Sequence, residues 1–335
     1  MSGLNVGVLG ATGAVGRVIS SLLIERNYPI KDLVLMASER SAGKELAIAG
    51  QNFTVKAAKP DLFSELDLVL FSPGSKVSSY YAPEAVQRGA VVIDNSSAFR
   101  MEDGVPLVVP EVNKEDLRSQ QGIIANPNCS TIQMVLALNP IRLSFGLERV
   151  IVTTFQSVSG SGQKGIEELQ KQAKAFITGG QMANDIYPHQ IAFNLIPQIG
   201  DFLKNGYTEE EMKMVNETRK LYQQPELPVH ATTVRVPVFQ CHSESVYFET
   251  SRKIEKEELV DLYGQCSGLK YYPRPEQYPV PLQKINDGDT HVGRFKEDLT
   301  RERAYSFWVV ADNLWKGAAL NAVQIAESLL EMGLI

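Results

Sequence analysis

A cysteine set between a strand and a helix is the residue in this chain most ready for chemistry. Cys129 stands in Ala125-Asn126-Pro127-Asn128-Cys129-Ser130-Thr131, where a short β-type run meets a helix-type run. A helix N-terminus carries free N–H groups and the positive end of the helix dipole, so a thiol placed there ionises more easily. The same N–H groups can hold an oxyanion on a carbonyl bound beside the sulfur. This combination suits covalent catalysis through a thioester.

A second segment points to a phosphate-bearing ligand. The first apolar run leads into Gly10-Ala11-Thr12-Gly13-Ala14-Val15-Gly16 and then into a helix-type stretch. Glycines let the main chain turn tightly and approach a pyrophosphate, and the helix that follows supplies N–H donors. The spacing is G-x-x-G-x-x-G rather than G-x-G-x-x-G, so the strand before and the helix after carry the argument. Gly10, Thr12, Gly13, Ala14, Val15 and Gly16 are the expected cofactor contacts, with Ser72 at the end of a later strand. An acid about 20 positions on would favour NAD. Here the sequence reads Ser38-Glu39-Arg40-Ser41, with no acid at Ser38 and with Arg40 able to pair with a 2′-phosphate. NADP is therefore the predicted cofactor, held by Ser38, Arg40 and Ser41. Glu39 stays open: it points away from the ribose, or it favours NAD.

The elements that must position these groups follow from apolar periodicity. β-type runs fall at 5–9, 33–37, 53–57, 68–71, 91–94 and 123–125, with helical stretches such as 15–25 and 81–88 between them. Continuous apolar strands alternating with helices predict a parallel sheet covered on both faces. Beyond residue 130 the texture changes. Helices at 132–143, 165–176, 209–221 and 256–265 interrupt strands at 149–156, 232–238 and 245–250, which predicts an α+β domain. A strand at 305–311 and a helix at 314–331 end the chain. The expected organisation is thus α/β: a Rossmann-like dinucleotide-binding domain over 1–128, joined by the helix of 314–335, and a catalytic and dimerisation domain over 129–313. Glu210 and Lys213 lie at i and i+3 on a helix and share a face, where a solvated ion pair is the plain reading.

Composition bounds the rest. The chain has 335 residues, 44% hydrophobic and 21% charged, with net charge −6. That describes an ordinary globular protein and argues against nucleic-acid binding. The three cysteines form no C-x-x-C pair, which argues against a disulfide framework or a zinc site and for a reducing compartment, the cytoplasm. A strand begins almost at the first residue, leaving no room for a signal peptide, and no stretch is long and apolar enough for a membrane span.

The motifs together resemble the aspartate-semialdehyde dehydrogenase family over nearly the whole length. They are GATGAVG at 10–16, SSAFRM at 96–101, NPNCST at 126–131, TFQSVSGSGQ at 154–163, EEMK at 210–213, RVPV at 235–238 and CHSESV at 241–246. A reductase that makes N-acetylglutamate semialdehyde shares the scheme, but NPNCST and EEMK favour the aspartyl enzyme. A catalytically dead, NADP-binding paralogue is the remaining alternative. The resemblance implies a reversible reaction. Cys129 forms a thioester, NADP exchanges a hydride, and phosphate attack gives aspartyl phosphate; the biosynthetic direction runs the other way, toward lysine, diaminopimelate, methionine, threonine and isoleucine. It further implies His242 as the acid–base group and Gln156 as the residue that orients the acyl group. Arg235 would clamp the substrate carboxylate, Glu210 would meet its ammonium, and Lys213 and Arg100 would bind phosphate. Gly160 and Gly162 would lie on the nicotinamide side, and Asn313 would be a further cofactor contact. The partners implied are a small substrate, phosphate and further copies of the chain, as a homodimer or homotetramer. Cys241 neighbours His242 and so faces the other way in an extended strand, outside the chemistry. His189, His230 and His291 have no such context and are taken as structural. In one ideal strand Arg235 and His242, seven apart, would lie on opposite faces, unless Pro237 and the Phe239-Gln240 stretch break it.

Overall fold

Strands that are apolar on both faces need cover on both faces, and the first part of the chain supplies it. A computed structural model describes residues 3–181 and 183–335. The chain forms two units, one running from its start to Asn128 and taking in Ala318–Ile335, the other spanning Cys129–Gly317. In chain order the first unit holds β1 (Leu4–Leu9), α1 (Ala14–Glu25), β2 (Ile30–Ala37), β3 (Glu45–Ile48), β4 (Gln51–Thr54), β5 (Lys56–Ala57), β6 (Leu68–Phe71), α2 (Ser75–Gln87), β7 (Val91–Asp94), α3 (Pro110–Asn113) and β8 (Ile123–Ala125). Six strands make a parallel sheet in the order β5-β2-β1-β6-β7-β8. This is the Rossmann-like sheet expected. The chain leaves β1 toward β2 on one side and toward β6 on the other, so the switch in direction falls at the end of β1. That is where open α/β sheets bind ligands, and Gly10 is the next residue.

One expected strand is two. The run 53–57 divides at Val55: β4 pairs with β3 in a separate hairpin, and β5 pairs with β2 at the sheet edge. The hairpin turns through Ala49 and Gly50, both at positive φ (46° and 78°), the geometry of a tight two-residue turn. Alanine rarely marks such a turn, which hid it.

The second unit continues with α4 (Cys129–Phe145), β9 (Arg149–Gln156), α5 (Gly162–Thr178), α6 (Glu209–Tyr222), β10 (Val229–Arg235), β11 (His242–Glu249), α7 (Lys256–Gly264), β12 (Leu269–Tyr272), β13 (Thr290–Glu297) and β14 (Ala304–Ala311). Its sheet is mixed, in the order β10-β9-β11-β14-β13-β12. α4 lies on this sheet, and every residue from Ser130 to Ile141 is buried. A helix apolar on all sides belongs in a core. Tyr222 of α6 and Tyr263 of α7 each donate a buried hydrogen bond to it, at the carbonyls of Val135 (2.7 Å) and Ala137 (2.8 Å).

The chain then ends in α8 (Leu320–Glu331), which packs on α1, α3 and β7 of the first unit. The Tyr28 hydroxyl donates to the Ala326 carbonyl at 3.3 Å, and Arg26 pairs with Glu327 at 2.7 Å. Asn321 donates to the carbonyl of Val108 and to Asn126 Oδ1. Among the described residues no helix is long and apolar enough to cross a membrane.

Candidate active site

In the first unit the glycine loop is folded so tightly on its own main chain that side chains are excluded. Gly10 has φ +87°, and a Cβ there would stand 2.9 Å from the Ser72 main chain. A Cβ on Gly16 would collide with the Gly10 carbonyl. Gly13 caps α1 without any side-chain hydrogen bond, so the first-turn N–H groups face outward unserved by a cap. The Gly13 N–H donates to the Gly10 carbonyl at 3.0 Å, and Ala14, Val15 and Gly16 open the helix at the end of β1, a helix N-terminus suited to a pyrophosphate.

After β2, Ser38 leads into a single turn of 3-10 helix, Glu39–Ser41. The Glu39 carboxylate lies 4.0 Å from the Lys59 ammonium, with both side chains mostly exposed. Arg100 is buried in the same unit. Its Nε donates to the Asn126 carbonyl at 2.9 Å and its Nη2 to the Asn95 carbonyl at 2.8 Å.

The second unit gathers most of the remaining residues singled out in the sequence. Cys129 is the first residue of α4, and a Cβ on Gly317 would come 2.9 Å from its Cβ. β9 and β10 run parallel and end side by side, at Gln156 and Arg235. Both side chains are buried. β10 stops at Arg235 and β11 begins at His242, so the expected strands 232–238 and 245–250 are shifted. Arg235 and His242 therefore sit on different strands, which removes the objection from alternation. The break spans residues 236–241, with Pro237 inside it and Cys241 at φ +71° at its end.

α6 is held by a capping box of Thr208 and Glu211, which fixes the turn that presents Glu210. Gln156 Nε2 donates to Glu210 Oε1 at 3.2 Å, and Lys213 Nζ lies 3.2 Å from Glu210 Oε2. The Glu210 side chain is buried, so this is more than the solvated pair that the spacing alone suggests. Arg235 Nη1 donates to the Ser157 carbonyl at 2.6 Å. Burial pushes the Arg235 pKa down, and the negative forms of Tyr187, Glu210 and Cys129 act against that. A guanidinium stays charged in proteins nonetheless, so a buried cation lies within electrostatic reach of the Cys129 sulfur.

His242 is fully buried, and its pKa is pushed down to about 3, first by burial and then by Arg235. Glu210 and the Cys241 main chain pull the other way. Its Nδ1 accepts from the Ser157 N–H at 3.1 Å. Gly160 keeps the ring accessible, since a Cβ there would meet Arg235 Nη1 at 2.8 Å and His242 Nε2 at 3.3 Å. Gly162, at φ +73°, opens α5. Asn313 Oδ1 accepts from Ser157 Oγ (3.2 Å), Ser159 Oγ (3.0 Å) and the Cys241 N–H (3.0 Å). Cys241 is buried, and burial drives its thiol pKa far up, so it is inert. His291 contacts Asp287 and Tyr272, and His230 contacts Tyr207.

Sequence reasoning missed Ser157, Ser159 and Tyr187, and it missed that Asn313 braces the His242 turn. The serines were visible inside the 154–163 motif. Tyr187, buried near Arg235, had no local signal. Among the described residues no cluster of three His, Cys, Asp or Glu could hold a metal.

Two family models match, semialdehyde dehydrogenase NAD binding domain over residues 5–120 and semialdehyde dehydrogenase dimerisation domain over 138–316. The chain is 50% identical to aspartate-semialdehyde dehydrogenase of Bacillus subtilis, with 99% of each chain covered. Aspartate semialdehyde dehydrogenase II of Vibrio cholerae, solved in complex with ASA, superposes with TM-score 0.95 at 45% identity, covering 99% of each chain. The enzyme of Candida albicans, solved with NADP, gives TM-score 0.79 at 26% identity with full coverage of both. With a thiol at the head of a buried helix, a glycine turn at the end of β1 and likeness from end to end, the chain belongs to the aspartate-semialdehyde dehydrogenase family.

Proposed function

We propose that the chain interconverts L-aspartyl 4-phosphate and L-aspartate 4-semialdehyde through a thioester on Cys129, with NADP as cofactor. The observation that carries this is Cys129 at the N-terminus of α4, within electrostatic reach of the buried Arg235 guanidinium. The glycine turn that leads from β1 into the bare N-terminus of α1 suits a pyrophosphate. When bound, NADPH supplies the hydride.

The residues then divide the work. The Cys129 thiolate attacks the acyl carbon, and the C–O bond to phosphate breaks. Helix N–H groups at the start of α4 face the oxygen that takes up charge. Gln156 orients the acyl group, since an amide both donates and accepts. Arg235 binds the substrate carboxylate, where a fork of donors matches two oxygens. Glu210, already buried beside Gln156 and Lys213, meets the substrate ammonium. Lys213 and Arg100 hold phosphate, and His242 presents Nε2 to the reacting oxygen. Ser38, Arg40 and Ser41 recognise the 2′-phosphate; the contact of Glu39 with Lys59 supports a carboxylate turned from it. Ser72, Thr12, Gly160, Gly162 and Asn313 complete the cofactor contacts.

The test is phosphate-dependent reduction of NADP, run with aspartate semialdehyde and with N-acetylglutamate semialdehyde. Aspartate semialdehyde and NADP should be preferred; faster turnover of the longer aldehyde, or equal efficiency with NAD, would overturn that part of the reading. We also infer a homodimer. The dimerisation-domain match and the exposed Phe176, Ile177 and Phe193 of the second unit support it. Light scattering should give twice the 37.0 kDa chain mass. A reducing compartment, the cytoplasm, suits three free thiols, one of them the nucleophile.

A further inference from the structure

One step in from Cys129 and His242 lies a pair of polar side chains that the proposed chemistry leaves unused. Gln133 is four residues after Cys129 on α4 and shares its face of the helix. Glu244 is two residues after His242 on β11 and shares its face of the sheet. Both are buried. The amide acts on the carboxyl, yet Oε1 and Oε2 of Glu244 and Oε1 and Nε2 of Gln133 are outside good hydrogen-bonding geometry with every described residue. A buried polar atom left in that state keeps the full cost of its desolvation. The two groups can relieve it together. A protonated carboxyl has one O–H donor and one carbonyl acceptor, and a primary amide has an N–H donor and a carbonyl acceptor. Turned to face each other, they close a ring of two hydrogen bonds that serves all four atoms. A carboxylate only accepts, and it would set its charge against the amide oxygen.

We propose that Glu244 and Gln133 pair as acid and amide between α4 and the sheet, and that Glu244 is thereby a positioning residue for the Cys129 sulfur. The role in turnover rests on the thioester reading of the site. The pair ties the helix, one turn after the nucleophile, to the strand that carries His242, so sulfur and imidazole are held in one frame. Thr154 stands opposite Glu244 on β9, and its hydroxyl accepts from Gln156 Nε2 at 3.4 Å, which brings Gln156 into the same frame. Burial raises the carboxyl pKa well above its ordinary value and so favours the acid form. Gln133 on α4, Thr154 on β9 and Val309 on β14 face the carboxyl, and none of them titrates. His242 is the titratable neighbour on the same face of β11. A carboxylic acid kept neutral in an apolar site is a good hydrogen-bond donor.

The test uses the full chain. An infrared difference spectrum between the wild type and Glu244→Gln at neutral pH should show the carbonyl stretch of a protonated carboxyl; a carboxylate band in its place overturns the proposal. Glutamine offers the same donor and acceptor as the acid. Glu244→Gln should therefore keep kcat, and the rate at which an alkylating agent labels Cys129, within about threefold. Glu244→Leu should slow both by about tenfold while the Michaelis constants for aldehyde and phosphate stay unchanged. Replacing both partners by leucine removes both polar groups, so that variant should melt no lower than Glu244→Leu. Its rates should show the same tenfold loss as Glu244→Leu alone, because a pair already broken cannot be broken again. Losses that multiply in the double variant, or Cys129 labelling unchanged in both leucine variants, sink the pairing. The kcat of the wild type relative to Glu244→Gln should hold level or fall as the pH rises. A ratio that climbs with pH would make the carboxylate the working form, against the proposal. Infrared and labelling need no turnover. If they hold while phosphate-dependent aldehyde oxidation is absent, the thioester reading has failed rather than the pairing.

Discussion

Two helices in this chain begin where a strand ends, and they serve chemistry in opposite ways. α1 follows β1 and is amphipathic, with Ile19, Leu22 and Leu23 buried and a bare glycine cap. α4 follows β8, is buried nearly all round, and carries Cys129, the proposed nucleophile, as its first residue. The site of the first unit is made largely of main chain, with side chains withheld at Gly10, Gly13 and Gly16. The site of the second is made of side chains on strand and helix ends. Added atoms should therefore break the first, and removed atoms the second.

The largest effect should come from removing the sulfur. Cys129→Ala should lower phosphate-dependent turnover on the order of 10⁴-fold or more, as removal of a nucleophile does. NADP binding, read by fluorescence titration, should persist; retained turnover would defeat the thioester mechanism. Anion contacts come next, each worth about 1.5–3 kcal/mol, or roughly ten- to hundredfold. Lys213→Leu and Arg100→Leu should raise the Michaelis constant for phosphate, and Arg235→Leu that for the aldehyde. An unchanged phosphate constant in both of the first two would show the assignment wrong. Gly16→Val tests the first unit from the other side. Its Cβ meets the Gly10 carbonyl, and overpacking costs roughly 1–3 kcal/mol. NADP should bind about five- to hundredfold more weakly while the reactivity of Cys129 toward an alkylating agent is unchanged; loss of both would mean that the two sites do not fail separately.

The smallest effect concerns Glu244, fully buried on β11 beside Gln133, where burial holds its carboxyl pKa well above the ordinary value. The folded state thus binds a proton that the unfolded state has lost. Stability from this group is full below the ordinary carboxylate pKa and falls as pH rises toward the raised one, by about 1.4 kcal/mol per pH unit. Glu244→Gln should flatten melting temperature against pH across that window. An unchanged slope would show that Glu244 is ionised in the fold.

Much of this was legible because the chemistry is local. The loop at 10–16 and the junction at 125–131 each lie within one strand-to-helix turn, so residue type and order suffice. What escaped depends on the chain between elements. The β3–β4 hairpin turns on Ala49, an unusual residue at positive φ. Arg235 and His242 converge because β10 and β11 both flank β9, a pairing that alternation within one strand cannot show. The brace of Ser157, Ser159, Asn313 and Cys241 joins residues up to 156 positions apart.

The burial of Cys241 has a practical side. Its thiol is sealed and poorly ionised, and the pKa of Cys266 is also raised by burial, its sulfur donating to the Leu262 carbonyl. Reactivity toward an alkylating agent follows the thiolate, so under the proposed mechanism a native chain should offer one fast target at the head of α4. The unfolded chain offers three. Adducts per native chain, weighed against those per denatured chain, therefore report by mass alone what fraction of a preparation holds a competent site.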